Sequence, residues 1–306
     1  MKPYPEWLES AVIYQIYPQS FQDSNGDGIG DLRGIESRIP YLAELGITVI
    51  WLNPIFDSPF ADAGYDIRDY FKIAPRYGSE EDLLALFKTA EKHGIRVVLD
   101  LVAGHSSIEH PLFQESAHAP EGPQAQQYIW MNRDYDPREG PTERNYVHNF
   151  FPFQPALNFG YAHPAEPWQD PVDAPGPTRN RAMLREILAY WMDLGAAGFR
   201  VDMASSLVKE DPSVAKTITL WQELRAWWDE RYPDRVLIAE WSDPAKSVPA
   251  GFHLDFLMHF NVDAYGTLFF NETGTFQSPD GTCYFDAQGN GSPHTFMSVY
   301  THPLSA

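Results

Sequence analysis

The sequence has 306 residues, of which 42 are acidic and 22 are basic, so its formal net charge at pH 7 is −20. This acidic excess repels phosphate backbones, and no cluster of Lys and Arg offsets it, which argues against a nucleic-acid partner. With 43% hydrophobic and 21% charged residues the chain can bury a large core, which excludes a disordered or fibrous protein.

The cellular compartment is predicted from cysteine usage and from the absence of apolar runs. Cys283 is the single cysteine and cannot form an intramolecular disulfide, which fits a reducing compartment. The first residues contain no run typical of a signal peptide, and no segment approaches membrane-spanning length. We therefore expect a cytoplasmic protein with no membrane partner. The oligomeric state is not indicated.

From residue 31 onward the sequence repeats one unit four times. The unit is an amphipathic helix, a glycine or turn, and a short apolar strand that ends in a polar residue. Further strands are predicted at 11–17 and near 256–258, which brings the number to six. Continuous apolar strands that alternate with helices predict a parallel sheet buried on both faces. The four repeated strands are 48–53, 96–100, 198–202 and 235–240.

Two parallel architectures compete, an open doubly wound sheet and a closed barrel. Asn53, Asp100, Asp202 and Glu240 each stand at the carboxyl end of a different strand. A barrel builds its active site from several strand ends around one axis, whereas an open sheet concentrates its site at one switch point. The sequence therefore predicts an α/β fold, a (β/α)8 TIM barrel that is incomplete because only about six strands are found.

A long segment after the third strand, rich in Pro, Gly, Asn, His and aromatic residues, is predicted to form an inserted domain. It is too long for an ordinary βα loop and is typical of a lid or small subdomain over a site. We predict barrel strands 1–3 in residues 1–105, the inserted domain in 106–178, and barrel strands 4–6 in 179–306.

The clearest chemical signal is the strand at 198–202 together with Glu240. Alternate strand residues share a face, so Arg200 and Asp202 point the same way, and an arginine favours the ionised form of a neighbouring carboxylate. If Asp202 and Glu240 end adjacent strands, their backbones lie about 4.8 Å apart, close to the roughly 5 to 5.5 Å carboxyl separation of retaining glycosidases. Asp202 is then the candidate nucleophile and Glu240 the acid/base. The alternative is a structural ion pair beside an unrelated glutamate.

An aspartate-rich loop at 23–31 (DSNGDGIGD) is a candidate cation site. Oxygen side chains at alternate positions, with glycine at the sixth position, reproduce the first half of a calcium loop, but the twelfth position is Gly34 rather than Glu. We expect Ca2+, with Mg2+ as the alternative ion; the competing interpretation is a metal-free turn that caps the next helix. The predicted ligands are Asp23, Asn25, Asp27, Ile29 and Asp31.

Weaker signals follow the second and third strands. Gly64-Tyr65-Asp66, preceded by Asp62, has a tyrosine that can stack on a sugar ring and carboxylates that can bind hydroxyl groups, although the same tripeptide is also an ordinary turn. His105 follows the third strand, and its position at a strand end adds weight to it.

Together these residues resemble the α-amylase superfamily of retaining glycoside hydrolases (family 13) over essentially the whole chain. Asp100 with His105 matches the first conserved region of the family, Arg200 with Asp202 the second, and Glu240 the third. The resemblance implies that Asp202 forms a glycosyl-enzyme, that Glu240 protonates the leaving oxygen and that Arg200 orients the nucleophile. The residues predicted to bind substrate are Asp62, Tyr65, Asp66, Asp100 and His105.

The opening strand and the aspartate loop resemble the α-glucosidase, oligo-1,6-glucosidase and trehalose synthase branch, and the stretch 154–158 (QPALN) resembles a motif of its inserted domain. The implied substrate is a malto- or isomalto-oligosaccharide. A transglycosylase or isomerase such as trehalose synthase remains an alternative, because it uses the same covalent intermediate.

Three departures from the family pattern stand out. Gly104 occupies a position that is usually Asn, and Met203 follows the nucleophile where branches differ in linkage preference, so this preference stays open. The Asn-His-Asp motif that carries the third carboxylate is absent from the sequence. A non-catalytic, carbohydrate-binding fragment is therefore a further alternative.

Overall fold

A computed structural model of the chain describes residues 4–119 and 122–258, together with residues 294 and 297. Cys283 lies outside the described residues. No helix in the described part of the chain combines the length and the apolar character needed to cross a membrane. The cytoplasmic location stays a prediction.

The described residues alternate between strands and helices as the repeat predicts. The strands are β1 (Ile13–Ile16), β2 (Val49–Leu52), β3 (Phe56–Asp57), β4 (Asp69–Ile73), β5 (Arg96–Val102), β6 (Gly198–Asp202), β7 (Val236–Ala239) and β8 (Leu254–Asp255). The α-helices are α1 (Pro18–Phe21), α2 (Leu32–Glu44), α3 (Glu80–Lys92), α4 (Pro111–His118), α5 (Pro175–Leu194), α6 (Ala215–Arg231) and α7 (Pro244–Ala250).

The main sheet has six strands in the order β1-β2-β5-β6-β7-β8. The pairs from β1 to β7 are parallel. The strand order follows the chain and never reverses, as in a barrel, whereas a doubly wound sheet reverses at a switch point. The prediction of an α/β fold with an incomplete (β/α)8 barrel is confirmed.

Local sequence explains where the helices begin. Ser79 caps α3, with a capping box in which its side chain and that of Asp82 each bind the other's backbone N–H. The apolar positions Leu83, Leu86 and Ala90 of the same helix are buried. The helix therefore packs its predicted apolar face onto the sheet, because burial of that face is what stabilises a helix of this length.

Gly198 is required where β6 begins. Its φ angle is +147°, and a Cβ at this position would lie 1.9 Å from the carbonyl oxygen of Val236 on the neighbouring strand. Only glycine allows this close backbone approach. It sets the register that places Val201 opposite Ala239.

Two short elements differ from the sequence prediction. The antiparallel pair of β3 and β4 falls outside the predicted repeat, between the strand at 48–53 and the helix capped by Ser79. It frames the loop that carries Tyr65. The last strand lies at Leu254–Asp255, slightly before the predicted 256–258.

The segment between β5 and α5 has a hydrophobic core of its own. Phe113 on α4 stacks on Trp130 with ring centroids 5.4 Å apart, and the rings of Tyr128 and Tyr146 meet Phe113 edge-on. Isolated β-bridges join Tyr128 to Leu157 and His105 to Ala156, rather than a regular sheet. The domain limits 1–105, 106–178 and 179–306 stay predictions.

Chain contacts divide the molecule into a unit of residues 1–240 with 246–254 and a unit of residues 241–245 with 255–306. In the described part of the second unit, the carboxylate of Asp255 accepts backbone N–H groups of Trp241, Ser242 and Asp243. These bonds fix the turn that follows Glu240.

Candidate active site

The carboxyl ends of β5, β6 and β7 bring four charged side chains together. Asp100 on β5 pairs in register with Arg200 on β6, and Asp202 is the last residue of the same strand. The backbone N–H of Glu240, just after β7, donates to the carbonyl of Val201 at 3.0 Å, which continues the ladder. The barrel topology therefore assembles residues that are far apart in sequence.

A single guanidinium holds the three carboxylates. Arg200 Nη1 lies 2.7 Å from Asp100 Oδ1 and 3.1 Å from Asp202 Oδ1, and its Nη2 lies 2.6 Å from Glu240 Oε1. Arg200 is 4% exposed and Asp100 is 1% exposed. Because charged hydrogen bonds of this kind strengthen in a buried site, the arginine fixes the relative positions of all three acids.

Burial is the main influence on the ionisation of Asp202 and Asp100. It raises the pKa of Asp202 well above its ordinary value, while Arg200 lowers that pKa and the nearby Glu240 raises it. Burial also raises the pKa of Asp100, against the opposing effect of Arg200. The sequence argument that arginine favours the ionised acid therefore describes only one contribution, since desolvation of the charged form is larger here.

Asp202 and Glu240 are linked through Arg200, which contacts one carboxylate oxygen of each acid. Glu240 Oε2 also accepts the backbone N–H of Met203 at 2.8 Å. Met203 has the left-handed values φ 46° and ψ 44°, uncommon for a residue with a side chain, and this conformation accompanies the bond between its N–H and Glu240.

One wall of the site is aromatic and joins Asp100 to the loop after β2. Asp100 Oδ2 accepts Trp51 Nε1–H at 2.9 Å and the Tyr65 hydroxyl at 3.1 Å. The Arg200 guanidinium carbon lies 5.1 Å from the Trp51 ring centroid. Asn53 donates to the Tyr65 oxygen at 3.1 Å. Burial, followed by the charge of Asp100, raises the pKa of Tyr65, so this hydroxyl remains a donor.

The other acids predicted to bind substrate have different environments. Asp62 is partly exposed, accepts Gln154 Nε2–H at 2.7 Å, and has a pKa raised by burial. Asp66 is fully buried and accepts Ser58 Oγ–H and the backbone N–H groups of Ala61 and Asp62. Asp66 therefore braces its own loop and lies outside the group held by Arg200.

His105 is buried at the end of the third parallel strand. Its Nε2 lies 3.1 Å from the carbonyl oxygen of Tyr65, and its Nδ1 lies 3.3 Å from Asn149 Nδ2. Burial lowers its pKa to about 4, so the imidazole is neutral near pH 7.

Several residues of the site were not assigned a role from the sequence. Asn53 was identified only as a strand end, Trp51 lies within β2, and Gln154 begins the stretch 154–158. Asn149 and Lys209 come from irregular segments, where no periodicity marks a functional residue.

The loop 23–31 has its acids occupied by backbone and hydroxyl donors. Asp23 accepts the N–H groups of Asn25, Gly26 and Gly28, and the bonds from Gly28 and Gly26 lower its pKa. Asp31 caps α2 by accepting Gly34 N–H at 2.6 Å. The structure therefore contains the helix cap that the sequence analysis gave as the competing interpretation of this loop.

The fit of this loop to a cation depends on its donor chemistry. Among the residues that the structure describes, no group of three or more His, Cys, Asp or Glu side chains is arranged to hold a metal ion. Asp23, Asn25 and Asp27, with the carbonyl of Ile29, nevertheless offer only oxygen donors, which suit Ca2+ or Mg2+. Calcium binding stays a prediction for these residues and Asp31.

The sequence matches the family model of the alpha amylase catalytic domain over residues 15–284. Among curated proteins, it is 37% identical over 254 residues to a trehalose synthase/amylase, TreS, of Mycolicibacterium smegmatis, an alignment that covers 76% of this chain and 40% of that protein. It is 39% identical over 224 residues to an oligo-1,6-glucosidase of Heyndrickxia coagulans, covering 67% of this chain and 37% of that protein.

A solved structure of a related enzyme also superimposes on this chain. An isomaltulose synthase of Erwinia rhapontici NX5, solved in complex with its natural substrate sucrose, superimposes with a TM-score of 0.70 at 29% identity, covering 86% of this chain and 51% of that chain. The chain thus spans about two fifths of the curated relatives and about half of this structure.

Proposed function

The chain belongs to the α-amylase family, and we propose that its site acts on α-glucosidic bonds of malto- or isomalto-oligosaccharides by a retaining double displacement. The observation that carries this proposal is the buried Arg200 guanidinium, in contact with Asp100, Asp202 and Glu240 at three adjacent strand ends. Two acids at neighbouring strand ends provide the pair of carboxyl groups that a retaining hydrolase needs, one as the nucleophile and one as the acid/base.

In the first step Asp202 attacks the anomeric carbon and forms an ester bond, while Glu240 gives its proton to the departing glycosidic oxygen. In the second step Glu240, now ionised, takes a proton from water, whose oxygen attacks the same carbon and releases Asp202. The first step requires Asp202 as the carboxylate and Glu240 as the carboxylic acid. Arg200 keeps both acids in reach of the same bond.

The aromatic wall supports recognition of a sugar. The Tyr65 ring can stack on a pyranose face, while Asp62 and Asp100 offer acceptors for hydroxyl groups and His105 borders the same loop. Asp66 contributes by bracing that loop. We propose that one glucosyl unit occupies this space.

Trapping with 5-fluoro-α-D-glucosyl fluoride tests the proposal without requiring full turnover. We expect intact mass spectrometry to show one fluoroglucosyl group, with peptide mapping on Asp202. Asp202→Asn removes the label, and Asp134→Asn, a change at an exposed aspartate, retains it. A label on another residue, or no label in a folded wild-type protein, contradicts the proposal.

A second candidate, an α-glucan transglycosylase or isomerase, is favoured by the similarity to TreS and to the isomaltulose synthase. It uses the same glycosyl-enzyme but delivers the glucosyl group to a sugar hydroxyl. Chromatography of products from maltose and sucrose separates the two functions: free glucose supports hydrolysis, and isomeric disaccharides support the alternative.

A third candidate is carbohydrate binding without turnover. Titration calorimetry of this chain with maltose distinguishes it, because binding with no product after prolonged incubation supports a binding function.

A further inference from the structure

We propose that Lys209 is a positioning residue, which acts through Asn149 to fix the proton of His105 on Nε2 and thereby to hold the backbone of Tyr65. The role of the held residues in sugar recognition rests on the proposed function. The hydrogen-bond directions themselves rest on geometry alone.

The directions follow from the donors that each group has. The Lys209 ammonium can only donate, and its Nζ lies 2.7 Å from Asn149 Oδ1, so the amide oxygen must face the lysine. The amide nitrogen then faces His105 Nδ1 at 3.3 Å and can only donate to it. Nδ1 must therefore be the unprotonated nitrogen. The proton lies on Nε2, which donates to the Tyr65 carbonyl at 3.1 Å.

Lys209 is itself fixed from several sides. Its Nζ also donates to the carbonyl of Ser206, and its backbone bonds to Gly160 and Ala162 of the segment between β5 and α5. In the described part of the chain no carboxylate lies within ion-pair distance of it, and burial lowers its pKa to about 8. Burying the Lys209 ammonium costs desolvation free energy, and this cost points to a role for its contact with Asn149.

The position of Gly104 independently supports the placement of the Asn149 side chain beside His105. A Cβ at this position would lie 2.6 Å from Asn149 Nδ2, so any side chain there displaces the amide. The backbone of Gly104 does not have a positive φ, so the space and not the conformation requires glycine. The residue that departs from the family pattern is thus the one that makes room for Asn149.

Tyr65 connects the His105 tautomer to the candidate active site. Its carbonyl is held by His105, while its hydroxyl donates to Asp100. Lys209, on the segment that follows β6, therefore helps to orient a side chain on the loop after β2.

Long-range 1H–15N NMR of the histidine rings tests the proposal directly, because the two nitrogens have distinct shifts in each tautomer. The chain has 10 histidines, and His105→Gln identifies the signals of interest. In the wild type we expect a single Nε2–H tautomer. In Lys209→Met and in Gly104→Ala we expect the Nδ1 signal to move from the unprotonated range toward the averaged position of mixed tautomers.

Two controls separate positioning from general stability. Lys209→Arg keeps a group that can only donate and should preserve the wild-type spectrum, as should Lys216→Met at an exposed lysine. A protonated Nδ1 in the wild type, or an unchanged His105 signal in Lys209→Met, overturns the proposal. If Lys209→Met does not fold, Gly104→Ala decides by the same criterion. Failure of the glycosidase proposal would leave these spectra unaffected.

Discussion

Two acidic regions of the molecule differ in how the negative charge of their carboxylates is compensated. At the strand ends, Asp100, Asp202 and Glu240 are gathered around one buried guanidinium. In the loop 23–31, the Asp23 carboxylate is bonded to backbone N–H groups near solvent. The pKa of Asp202 is raised by burial, and that of Asp23 is lowered by its N–H donors.

The difference shows that sequence proximity of acids does not determine their chemistry. The acids of the loop are close in sequence, and they accept hydrogen bonds from the loop itself and from the first turn of α2. The strand-end acids come from three strands and depend on one side chain. Reactivity is therefore expected where acids lack sufficient compensation, since perturbed pKa values cluster at functional sites.

Arg200→Met is the strongest test of the difference between the two acidic regions. Removing the guanidinium that contacts all three acids leaves buried carboxylates uncompensated, and we expect the free energy of unfolding at pH 7 to fall by about 3–5 kcal/mol. Urea denaturation measures this. The matched control is Arg33→Met, whose side chain is 67% exposed beside Asp82 and whose loss should cost at most about 1 kcal/mol. Equal losses for the two variants would contradict the comparison.

Asp202→Asn should change stability in the opposite direction. A pKa raised in the folded state means that stability falls as pH rises above the ordinary value of 3.8, because the unfolded chain releases its proton first. The neutral amide removes this loss, so we expect the variant to be more stable than the wild type at pH 7.

Unfolding curves from acidic to neutral pH check this sign. The advantage of the variant should disappear toward the acidic end, where Asp202 is protonated in both states. Asp134→Asn, at an exposed position, should show no such trend. A less stable Asp202→Asn at neutral pH would show that the ion pair with Arg200 outweighs burial.

In the loop, Asp31→Ala tests whether the hydrogen bond that caps α2 accounts for the contribution of Asp31 to stability. Loss of the cap on α2 should lower the free energy of unfolding by about 1 kcal/mol. Thermal melts with EDTA present exclude any contribution from a cation. Asp27→Ala, an exposed loop change, should cost less; an equal cost would assign the effect to the loop as a whole.

The smallest expected effect is that of calcium on the same loop. If the ion binds the folded chain alone, a concentration equal to its Kd stabilises by about 0.4 kcal/mol and raises Tm slightly. Melts with added CaCl2, MgCl2 and EDTA measure the shift and the choice of ion. The double change Asp23→Asn with Asp27→Asn should abolish it. Identical melts of the wild type in excess EDTA and in calcium would refute the site.

The sequence predicted the architecture because the repeat of apolar helix faces and apolar strands carries both periodicity and order. The strand 198–202 has the predicted limits, and β5 extends the predicted one by two residues. Because the repeat gives the order and limits of the strands, the strand ends that carry Asp100, Asp202 and Glu240 could be located from the sequence, whereas the register of Asp100 opposite Arg200 required the structure.

The remaining features depend on contacts between segments distant in sequence. Asp66 has the same residue type and neighbourhood as Asp62, and only the positions of Ser58 and Ala61 show that it braces the loop. Asn149 lies in an irregular segment without periodicity. The ionisation of Asp202 depended on burial, which the neighbouring Arg200 does not reveal.

The charge balance around Arg200 has a consequence for the proposed reaction. One guanidinium contacts three acids, so its single positive charge cannot neutralise all of them when they are ionised. In the proposed mechanism positive charge would develop at the anomeric carbon as the glycosidic bond lengthens, and acids that are already held in place would stabilise it. Incomplete neutralisation by Arg200 would then favour an oxocarbenium-like transition state.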